Sequence, residues 1–493
     1  MSATTIDAPE DTMTTIIGLE VHAQVLSTSK MFCSCSADYA NAAPNTHTCP
    51  VCLGLPGALP VANEAAIETV VRTGIALNCT IPEYSKMDRK NYFYPDLPKG
   101  YQISQFDYPL CLNGSIEFVL DGEPRRAGIT RVHIEEDTGR LVHDVAQDEG
   151  LSLIDLNRSG VPLMEIVGEP DLKSPEEARE YLIALRRILR AISASTGNME
   201  EGAFRCDANI SIRAKDGSFI GPKVEIKNMN SFRAVERALK YEEVRQREAV
   251  ANGEELFQET RGWVEDQGVT VSQRTKEAAH DYRYFPEPDL PPLMMAADRV
   301  EGIRQTVAEL PLERERRFIG DYALTPADAA LLTSERAIGD VYEEVVSGKK
   351  DGAYPKTAAN WIVNDIMGLA RSRNLSSDEL PLTAAQIREL VDMVNDKTLT
   401  GRSAKDLLPS LEPGEMPSEA AKRLNLLSLD DDSEVQAAAQ AAIDGNPAAV
   451  ADYTSGKKAA IGRLIGDTMK RTGGRAKPDA VRAALVSILD SMG

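Results

Sequence analysis

Residues 16–25, IIGLEVHAQV, carry the pattern that decides the fold of the first half of the chain. From Leu19 onward apolar and polar side chains alternate, and successive side chains of a β-strand point to opposite faces of its sheet. Leu19 and Val21 therefore share one face, while Glu20 and His22 share the other. The stretch predicts a strand whose apolar side packs on a core and whose polar side faces away from it.

Three further segments repeat this alternation: GITRVHIEED at 128–137, FRCDANISIR at 204–213 and KVEIKN at 223–228. One interpretation is that each is an antiparallel strand with one face in water. Solvent faces usually carry Thr, Lys and Ser, whereas these carry groups that bind hard cations and phosphates. If all four strands share a sheet, their polar sides form one metal- and nucleotide-binding surface. The polar positions of the three segments are Arg131, His133, Glu135, Arg205, Asp207, Asn209, Ser211, Arg213, Lys223, Glu225 and Lys227.

Length and composition are those of a soluble, multidomain protein. The 493 residues suffice for roughly two to four domains, with 42% hydrophobic and 27% charged residues. We find no apolar run of about 18 residues and no signal-peptide pattern, so we expect neither a membrane span nor secretion. Seven cysteines are too few for a disulfide scaffold and favour a reducing, cytoplasmic setting. The net charge of −21 argues against a surface that binds polyphosphate throughout.

The reactive residue types are concentrated near the start of the chain. All five histidines precede residue 281 and all seven cysteines precede residue 207. Unless this is chance clustering, it predicts a chemical N-terminal part and a helical, non-catalytic C-terminal part. Helix signals include Ser174-Pro175, an N-cap followed by a first-turn proline, and the start of a second helix near Asn230-Ser231. Residues 406–432 hold three prolines among acids and predict a linker with short helical pieces at most.

The cysteines include a closely spaced quartet. Cys33-x-Cys35 is followed, after thirteen residues, by Cys49-x-x-Cys52. Two pairs of thiolates separated by a loop suit tetrahedral zinc, and four thiolates leave no open position, so a structural site is favoured. Chance placement and a redox pair are the alternatives, and His47 could replace one thiolate. Three further cysteines are predicted to be small core residues: Cys79, Cys111 and Cys206.

Two loops and the C-terminal end carry chemistry typical of RNA binding. Residues 86–107 interleave Lys and Arg with Tyr and Phe, which can grip phosphate and stack a base, although a buried loop would look similar. Residues 272–292 add further basic residues and His280, which is more often structural than catalytic. From Ala451 onward eight basic residues face four acids, a local excess that predicts contact with RNA phosphates or merely a solvated face. No P-loop or GxSxG motif occurs.

Long motifs throughout the chain resemble the B-subunit family of the glutamyl/aspartyl-tRNA amidotransferases. They include IGLEVHAQV, SKMFCSCS, CPVCLGLPGALP, DRKNYFYPDLPKGYQISQ, EGAFRCDANISIR and HDYRYFPEPDLPP. The resemblance runs from about residue 16 to the end. It implies an α+β multidomain protein with a glutamine-synthetase-like antiparallel-sheet cradle at 1–300 that includes a zinc knuckle. It also implies an all-α helical domain at 301–425 and a YqeY-like, tRNA-binding tail at 426–493.

The resemblance also implies a reaction and its partners. ATP phosphorylates the side-chain carboxylate of Glu on tRNA(Gln) or Asp on tRNA(Asn). Ammonia, released from glutamine by an amidase A subunit, then displaces the phosphate, and a small C subunit tethers the other two subunits. The implied cofactors are ATP, Mg²⁺ and structural Zn²⁺.

Site residues follow from combining the resemblance with the strand faces. Around Mg²⁺ we expect Glu20, His22, Glu135 and Glu225, with Glu136 as a further candidate on the opposite strand face. Contacts to nucleotide or the activated carboxyl are expected from Arg131, Asp207, Asn209 and Lys227. The terminal adenosine or phosphates are assigned to Lys90, Arg274 and Arg283, and zinc to Cys33, Cys35, Cys49 and Cys52. The basic tail residues expected on tRNA are Lys457, Lys458, Arg463, Lys470 and Arg471.

Two other functions compete with this one. A non-catalytic, zinc-stabilised scaffold could present tRNA to another enzyme, but a scaffold does not need the polar strand faces. A free-standing ammonia ligase like glutamine synthetase is a weaker alternative, because the basic tail and the absence of a glutaminase nucleophile motif favour RNA and a partner.

Overall fold

The structure is a computed structural model, and it describes residues 12–142, 152–217, 219–275, 282–349, 352–412, 414–429 and 432–492. The chain divides into two compact units, Met1–Leu312 and Glu313–Gly493. The first unit mixes strands and helices, and the second is helical.

The strands all belong to the first unit. They are β1 (Met13–Gln24), β2 (Tyr84–Ser85), β3 (Asp88–Asn91), β4 (Tyr101–Ser104), β5 (Cys111–Leu120), β6 (Glu123–Glu136), β7 (Arg140–Val142), β8 (Leu153–Asp155), β9 (Pro162–Gly168), β10 (Phe204–Ala214), β11 (Val224–Lys227), β12 (Glu259–Val264), β13 (Val269–Thr275), β14 (Arg283–Pro286) and β15 (Leu293–Met294).

Helices occur in both units. They are α1 (Glu64–Ala76), α2 (Pro175–Ala191), α3 (Phe232–Ala251), α4 (Ala297–Arg304), α5 (Pro311–Tyr322), α6 (Pro326–Leu332), α7 (Arg336–Val346), α8 (Tyr354–Asn360), α9 (Met367–Ser372), α10 (Ala384–Asn395), α11 (Gly401–Leu407), α12 (Pro417–Arg423), α13 (Asp432–Gly445), α14 (Pro447–Thr454), α15 (Ile461–Arg471) and α16 (Pro478–Ser491). A π-helical turn, Trp361–Ile366, joins α8 to α9.

An eight-stranded sheet dominates the first unit, in the order β13-β12-β11-β10-β1-β9-β6-β5. Its neighbours pair antiparallel except β11 and β12, which run parallel. The sheet is therefore mixed, whereas the resemblance implies an antiparallel sheet. The four strands predicted from their alternation, β1, β6, β10 and β11, do share this sheet, and β9 lies between β1 and β6.

The apolar side of the sheet packs on α1, α2 and α3. Leu19, Val21 and Ala23 are at most 2% exposed and belong to the same core as Tyr181 and Leu185 of α2. That helix begins where the sequence predicts, because the Ser174 hydroxyl accepts a hydrogen bond from the Glu177 amide. With one side of the sheet covered by helices, the opposite side is left to the polar residues.

Small sheets border the large one. One has the order β14-β3-β4, and two-stranded sheets pair β15 with β2 and β7 with β8. The three-stranded sheet contains two strands of the basic and aromatic loop at 86–107 and brings that loop next to the segment that begins at Tyr282.

The second unit has two apolar cores. One extends from Phe318 to Ala421, and the other from Val435 to Leu489. The seven-residue helix α12 lies in the stretch expected to hold short helical pieces, and its Ala420 and Ala421 belong to the first of these cores. The three-part division at residues 300 and 425 stays a prediction. Within the described ranges, no helix is long and apolar enough to cross a bilayer.

Candidate active site and cysteine site

Strand register brings three residues into one row across the sheet. His22 of β1 lies opposite Glu165 of β9, and Glu165 lies opposite His133 of β6. All three side chains point to the polar side. One carboxylate oxygen of Glu165, Oε2, lies 3.4 Å from Nε2 of His22 and 3.4 Å from Nε2 of His133. The central strand thus supplies a carboxylate that both histidines approach.

Two further carboxylates complete two overlapping triads. Glu20 Oε1 lies 3.9 Å from His22 Nε2, and the Glu135 oxygens lie 3.7 Å from His22 Nε2 and 3.8 Å from His133 Nε2. In each triad, one potential ligand atom per residue lies within 4.8 Å of the others. The triads are Glu20, His22 and Glu165, and His133, Glu135 and Glu165. Carboxylate oxygens at this density fit Mg²⁺, which is held by one or two carboxylates plus substrate phosphates.

The buried carboxylates control the charge of the histidines. Burial disfavours an imidazolium, but Glu165 and Glu135 raise the pKa of His133 to about 9. Burial and the neighbouring Glu165 raise the pKa of Glu20, whereas the histidines outweigh burial at Glu165 and hold its pKa well below the usual range. The raised pKa values thus favour protonated histidines on either side of an ionised Glu165, and a bound cation would replace these protons.

A second polar group lies on the neighbouring strands. Glu20 is in register with Asp207 of β10, whose carboxylate bonds the Lys227 ammonium. Lys227 Nζ is also 3.3 Å from Glu225 Oε1, and the Thr260 hydroxyl donates to Glu225 Oε2 at 2.9 Å. Glu225 is thus engaged by Lys227 and Thr260, and it belongs to neither triad among the described residues.

Two further residues on the polar side of the sheet lie near these carboxylates. Asn209, opposite Glu225, has a buried Oδ1 that makes no hydrogen bond to a described residue. Nη2 of Arg131 lies 3.9 Å from Glu165 Oε1. The structure therefore brings both near the carboxylates, as the strand pattern predicts.

Glu136 lies apart from the triads, on the other face of β6. Its carboxylate bonds the Lys99 ammonium and accepts a hydrogen bond from the Ile103 amide at 3.0 Å. The register shift of β6 lies between Ile129 and Arg131. From Arg131 to the last residue, where Glu136 pairs with Pro162, the pairing is regular, so no bulge redirects the Glu136 side chain toward Glu135. The structure does not bring Glu136 to the position expected of a magnesium ligand.

The residues expected to contact adenosine or phosphate differ in where they lie and in whether their side chains are described. Lys90 is close to the triads: burial disfavours its charge, but Glu135 and Glu165 raise its pKa, and Nζ lies 5.0 Å from the Tyr282 ring. Arg283 is exposed on β14. Arg274 belongs to β13, but its side chain lies outside the described residues, as does His280.

The basic and aromatic loop is partly exposed. Phe93 is 88% exposed and Tyr94 58% exposed, which a fully buried loop would not show. Other rings are packed, since Phe106 stacks on Tyr284 at 4.4 Å and the Arg89 guanidinium lies 4.2 Å from the Tyr101 ring. Phe93 and Tyr94 are thus exposed as in a loop that stacks bases, whereas Tyr101 and Phe106 pack on other side chains, as the rings of a buried loop do.

The four cysteines form one group, with their Sγ atoms within 4.8 Å of one another. Sγ of Cys49 and Cys52 are 3.8 Å apart, and the Cys49 amide donates to Cys52 Sγ at 3.1 Å. A hydrogen bond from Cys33, the Cys49 amide and the nearby Lys30 ammonium lower the pKa of Cys52 to about 4. Four convergent sulfur atoms with a thiolate already favoured fit zinc.

Other residues around the quartet have separate roles. His47 is not part of the group, and its buried Nδ1 makes no hydrogen bond to a described residue. Gly54 has a φ of +66°, and a Cβ there would lie 2.3 Å from Lys99 Cγ, so the turn after the second pair requires glycine. The remaining cysteines, Cys79, Cys111 and Cys206, are buried in the core as predicted.

Comparison with known proteins identifies the family. Residues 15–301 match the GatB/GatE catalytic domain, and residues 340–489 match the GatB domain of YqeY type. Together the two matches cover most of the chain. The chain belongs to the GatB/GatE family.

Curated relatives of this GatB/GatE chain match over nearly their whole length. A protein from Thermomicrobium roseum, named as the B subunit of an aspartyl/glutamyl-tRNA(Asn/Gln) amidotransferase, is 56% identical over 476 residues, 96% of this chain and 98% of the relative. Proteins of the same name from Roseiflexus castenholzii and Dehalococcoides mccartyi are 51% and 48% identical, covering 95% and 97% of this chain and 97% and 99% of the relatives. The family resemblance inferred from the motifs is confirmed.

Sequence reasoning missed Glu165 in this GatB/GatE chain, and it placed His133 on a strand face without assigning it to the site. Glu165 sits in VPLMEIVG, an otherwise apolar run. Its buried neighbours Met164 and Ile166 flank a carboxylate that is only 5% exposed. A single acid in a buried strand was the available signal, because burying a charge is costly without a partner.

The tail residues lie on an exposed surface of the second unit. Lys457 pairs with Asp452 at 2.9 Å, Lys458 lies 3.9 Å from the Tyr453 ring, and Arg471 pairs with Asp467 at 3.1 Å. Arg463 and Lys470 are exposed on α15. Their role toward tRNA remains a prediction.

Proposed function

We propose that this chain is the ATP-dependent subunit of a tRNA amidotransferase, a carbon–nitrogen ligase with glutamine as amido donor. It activates the side-chain carboxylate of Glu-tRNA(Gln) or Asp-tRNA(Asn) and amidates it to Gln-tRNA(Gln) or Asn-tRNA(Asn). The observation that carries the proposal is the pair of triads sharing Glu165, in a chain that is 56% identical to a relative named for this reaction.

The chemistry requires activation of the carboxylate before amidation. A carboxylate oxygen attacks the γ-phosphorus of ATP, the bond to the β–γ bridging oxygen breaks, and ADP leaves. The acyl phosphate then accepts the lone pair of ammonia at its carbonyl carbon, and phosphate leaves as the amide forms and a proton is lost. Charge spread over phosphate oxygens during the first step must be offset by cationic groups.

The polar side of the sheet supplies groups for these tasks. Mg²⁺ would be held by the triad residues Glu20, His22, Glu135 and Glu165 together with His133, and it would neutralise the phosphates. Lys227, held by Asp207 and Glu225, supplies a positioned cation beside Glu20, and Arg131 supplies another beside Glu165. Asn209 and Lys90 present polar atoms for the nucleotide or carboxyl. Arg274 and Arg283 are proposed at the terminal adenosine, and Glu225 as a further ligand.

The proposal includes an architecture and partners. The first unit acts as a glutamine-synthetase-like cradle, and domains at 1–300, 301–425 and 426–493 carry catalysis, a helical support and tRNA binding. Ammonia comes from an amidase A subunit, with a small C subunit in the same complex, because the relatives are named as B subunits of such an enzyme. The assembled enzyme works in the cytoplasm on misacylated tRNA.

Zinc is the proposed occupant of the four-cysteine site. Four sulfur donors satisfy tetrahedral coordination and leave no position for substrate, so the site is structural. Cys49→Ser is expected to lose stoichiometric zinc, measured by elemental analysis, and to lower the melting temperature. Full zinc content in that variant would exclude Cys49 as a required ligand.

A reconstituted complex with A and C subunits tests the amidation proposal. With misacylated tRNA, ATP and glutamine, we expect amidated tRNA and tRNA-stimulated ADP formation. Glu165→Gln is expected to lower ADP formation at least ~100-fold, because both triads lose a shared ligand. The matched control is Glu169→Gln, which changes an exposed carboxylate at the end of the same segment.

The alternative outcomes separate the functions. Undiminished ADP formation in both Glu20→Gln and Glu165→Gln would refute the assignment of the triads. A protein that binds tRNA but no ATP with Mg²⁺, by calorimetry, would instead support the scaffold.

A further inference from the structure

Lys30 is a buried lysine whose charge lacks a carboxylate partner. Its relative exposure is 0%, and Nζ donates to the main-chain oxygens of His47 at 2.7 Å and Leu156 at 3.4 Å. Among the described residues, no carboxylate forms an ion pair with this ammonium. An ammonium held away from water costs several kcal/mol unless a nearby negative charge offsets the lost hydration. Lys30 therefore needs a source of negative charge.

Two sources of negative charge meet Lys30 around Gly160. A Cβ at Gly160 would lie 3.4 Å from Lys30 Cδ, 3.5 Å from Cys52 Cβ and 3.9 Å from Glu136 Oε2. Glu136 already pairs with Lys99. The cysteine site is therefore the source left to offset the charge of Lys30. Four thiolates around one Zn²⁺ leave a formal excess of two negative charges, and this excess is itself costly to bury.

Lys30 also links the two arms that carry the cysteines. Its amide donates to the Cys35 carbonyl at 2.9 Å, and its ammonium reaches the His47 carbonyl, two residues before Cys49. Asn157 supports the same second arm without charge: its Oδ1 accepts from the His47 amide at 2.7 Å, and its Nδ2 donates to the Ala43 carbonyl at 2.8 Å. Asn157 is equally buried, at 0% exposure, which makes it a matched neutral comparison.

We propose that Lys30 is a positioning residue of the cysteine metal site, which offsets part of the negative charge of the thiolates and holds one cysteine pair against the other. This role rests on metal binding by the quartet and is independent of the amidation reaction. It also accounts for a lysine that is buried in a loop region and bonded to carbonyl groups.

Zinc affinity of the full-length protein tests this role. The protein is reconstituted with one equivalent of zinc and titrated with a chromophoric chelator. Lys30→Met keeps the length of the side chain and removes the charge, and it is expected to weaken zinc binding at least tenfold, as loss of outer-sphere partners of metal ligands does. Lys30→Arg should retain affinity within a few-fold. Asn157→Ala loosens the same arm and should lower the melting temperature with a smaller loss of zinc affinity.

A double-mutant cycle separates charge from loop support. Cys35→His replaces a thiolate by a neutral imidazole and reduces the excess negative charge to one. If charge is what Lys30 supplies, Lys30→Met should cost at least threefold less affinity in the Cys35→His background than in the wild type. Equal cost in both backgrounds, or wild-type affinity in Lys30→Met, overturns the inference.

The design distinguishes this inference from the zinc proposal. A wild-type protein that takes up no zinc overturns both statements, whereas stoichiometric zinc with equal affinity in wild type and Lys30→Met overturns the role of Lys30 alone. If Lys30→Met does not accumulate as folded protein, the same cycle is measured with Lys30→Gln, which retains hydrogen bonding to the His47 carbonyl without charge.

Discussion

Glu165 is a single carboxylate that serves two histidines. It is 5% exposed, and one of its oxygens lies 3.4 Å from an imidazole nitrogen on each neighbouring strand. Its charge is tolerated in the sheet because those histidines, rather than water, stabilise it. A residue placed this way ties the position of β1 to that of β6, so chemistry and strand register depend on the same side chain.

Glu135 and Glu136 are adjacent acids with opposite surroundings, and they predict opposite phenotypes. Glu135→Gln should lower Mg²⁺-dependent ADP formation at least ~100-fold, because it removes a triad ligand. Glu136→Gln should retain Mg²⁺ binding but lose about 3–5 kcal/mol of unfolding free energy, since the buried Lys99 ammonium is left unpaired. Calorimetry and chemical denaturation measure both. Loss of Mg²⁺ binding in folded Glu136→Gln would contradict this separation.

His133 predicts a pH dependence of stability when divalent cations are omitted. The pKa of His133 is raised from 6.5 to about 9 in the folded chain. The contribution of protonated His133 to the free energy of unfolding is therefore complete below pH 6.5 and disappears as pH rises through 9. We expect the stability difference between wild type and His133→Asn to shrink by about 3 kcal/mol between about pH 6 and pH 9.5. Urea denaturation at each pH measures it, and a difference that stays constant would exclude a charged His133.

At the scale of elements, the period-2 pattern predicted four strands of the large sheet but not the row that His22, Glu165 and His133 form across β1, β9 and β6. Glu20 and His22 could be assigned to one face because alternation is local. Glu165 could not be assigned to the site in this way, because β9 is apolar on both sides of this residue. The place of β9 between β1 and β6 also depends on pairings between segments that are distant in sequence. Glu136 shows the same limit, since its partner Lys99 comes from a loop whose position the strand pattern does not encode.

The basic helix α15 predicts a salt-dependent RNA contact. Arg463→Glu with Lys470→Glu reverses two exposed charges without touching a core, so the melting temperature should stay within about 2 °C. Affinity for tRNA should fall, and the slope of log affinity against log salt should decrease by about 2. Filter binding at several salt concentrations measures this. The control is Lys422→Glu, an exposed lysine on α12, and an equal loss there would argue against a specific role for α15.

For the whole molecule, separate cores imply separate stabilities. The first unit has its own apolar core, and the second unit contains two. Cooperative unfolding follows shared packing, so units with separate cores need not melt together. Ligands that bind one unit should then protect that unit and leave the other unchanged.

Scanning calorimetry tests this independence. We expect at least two thermal transitions, and ATP with Mg²⁺ at about 100 times its dissociation constant should stabilise only the transition of the first unit, by about 2.7 kcal/mol. Phe318→Ala, in a core of the second unit at 0% exposure, should lower a different transition, since truncating a buried Phe costs about 3–5 kcal/mol. One transition that responds to both changes would show that the units unfold as one.

The central pairing of β1 with β10 has a consequence for biosynthesis. Leu19 pairs with Ala208, so the strand made first waits for a partner nearly two hundred residues downstream. During translation the nascent β1 emerges from the ribosome with both edges unpaired, and such edges invite association with other chains. The row of His22, Glu165 and His133 likewise forms only after β9 has been made, and chaperone protection of β1 should matter more for the yield of this protein than for one built from local hairpins.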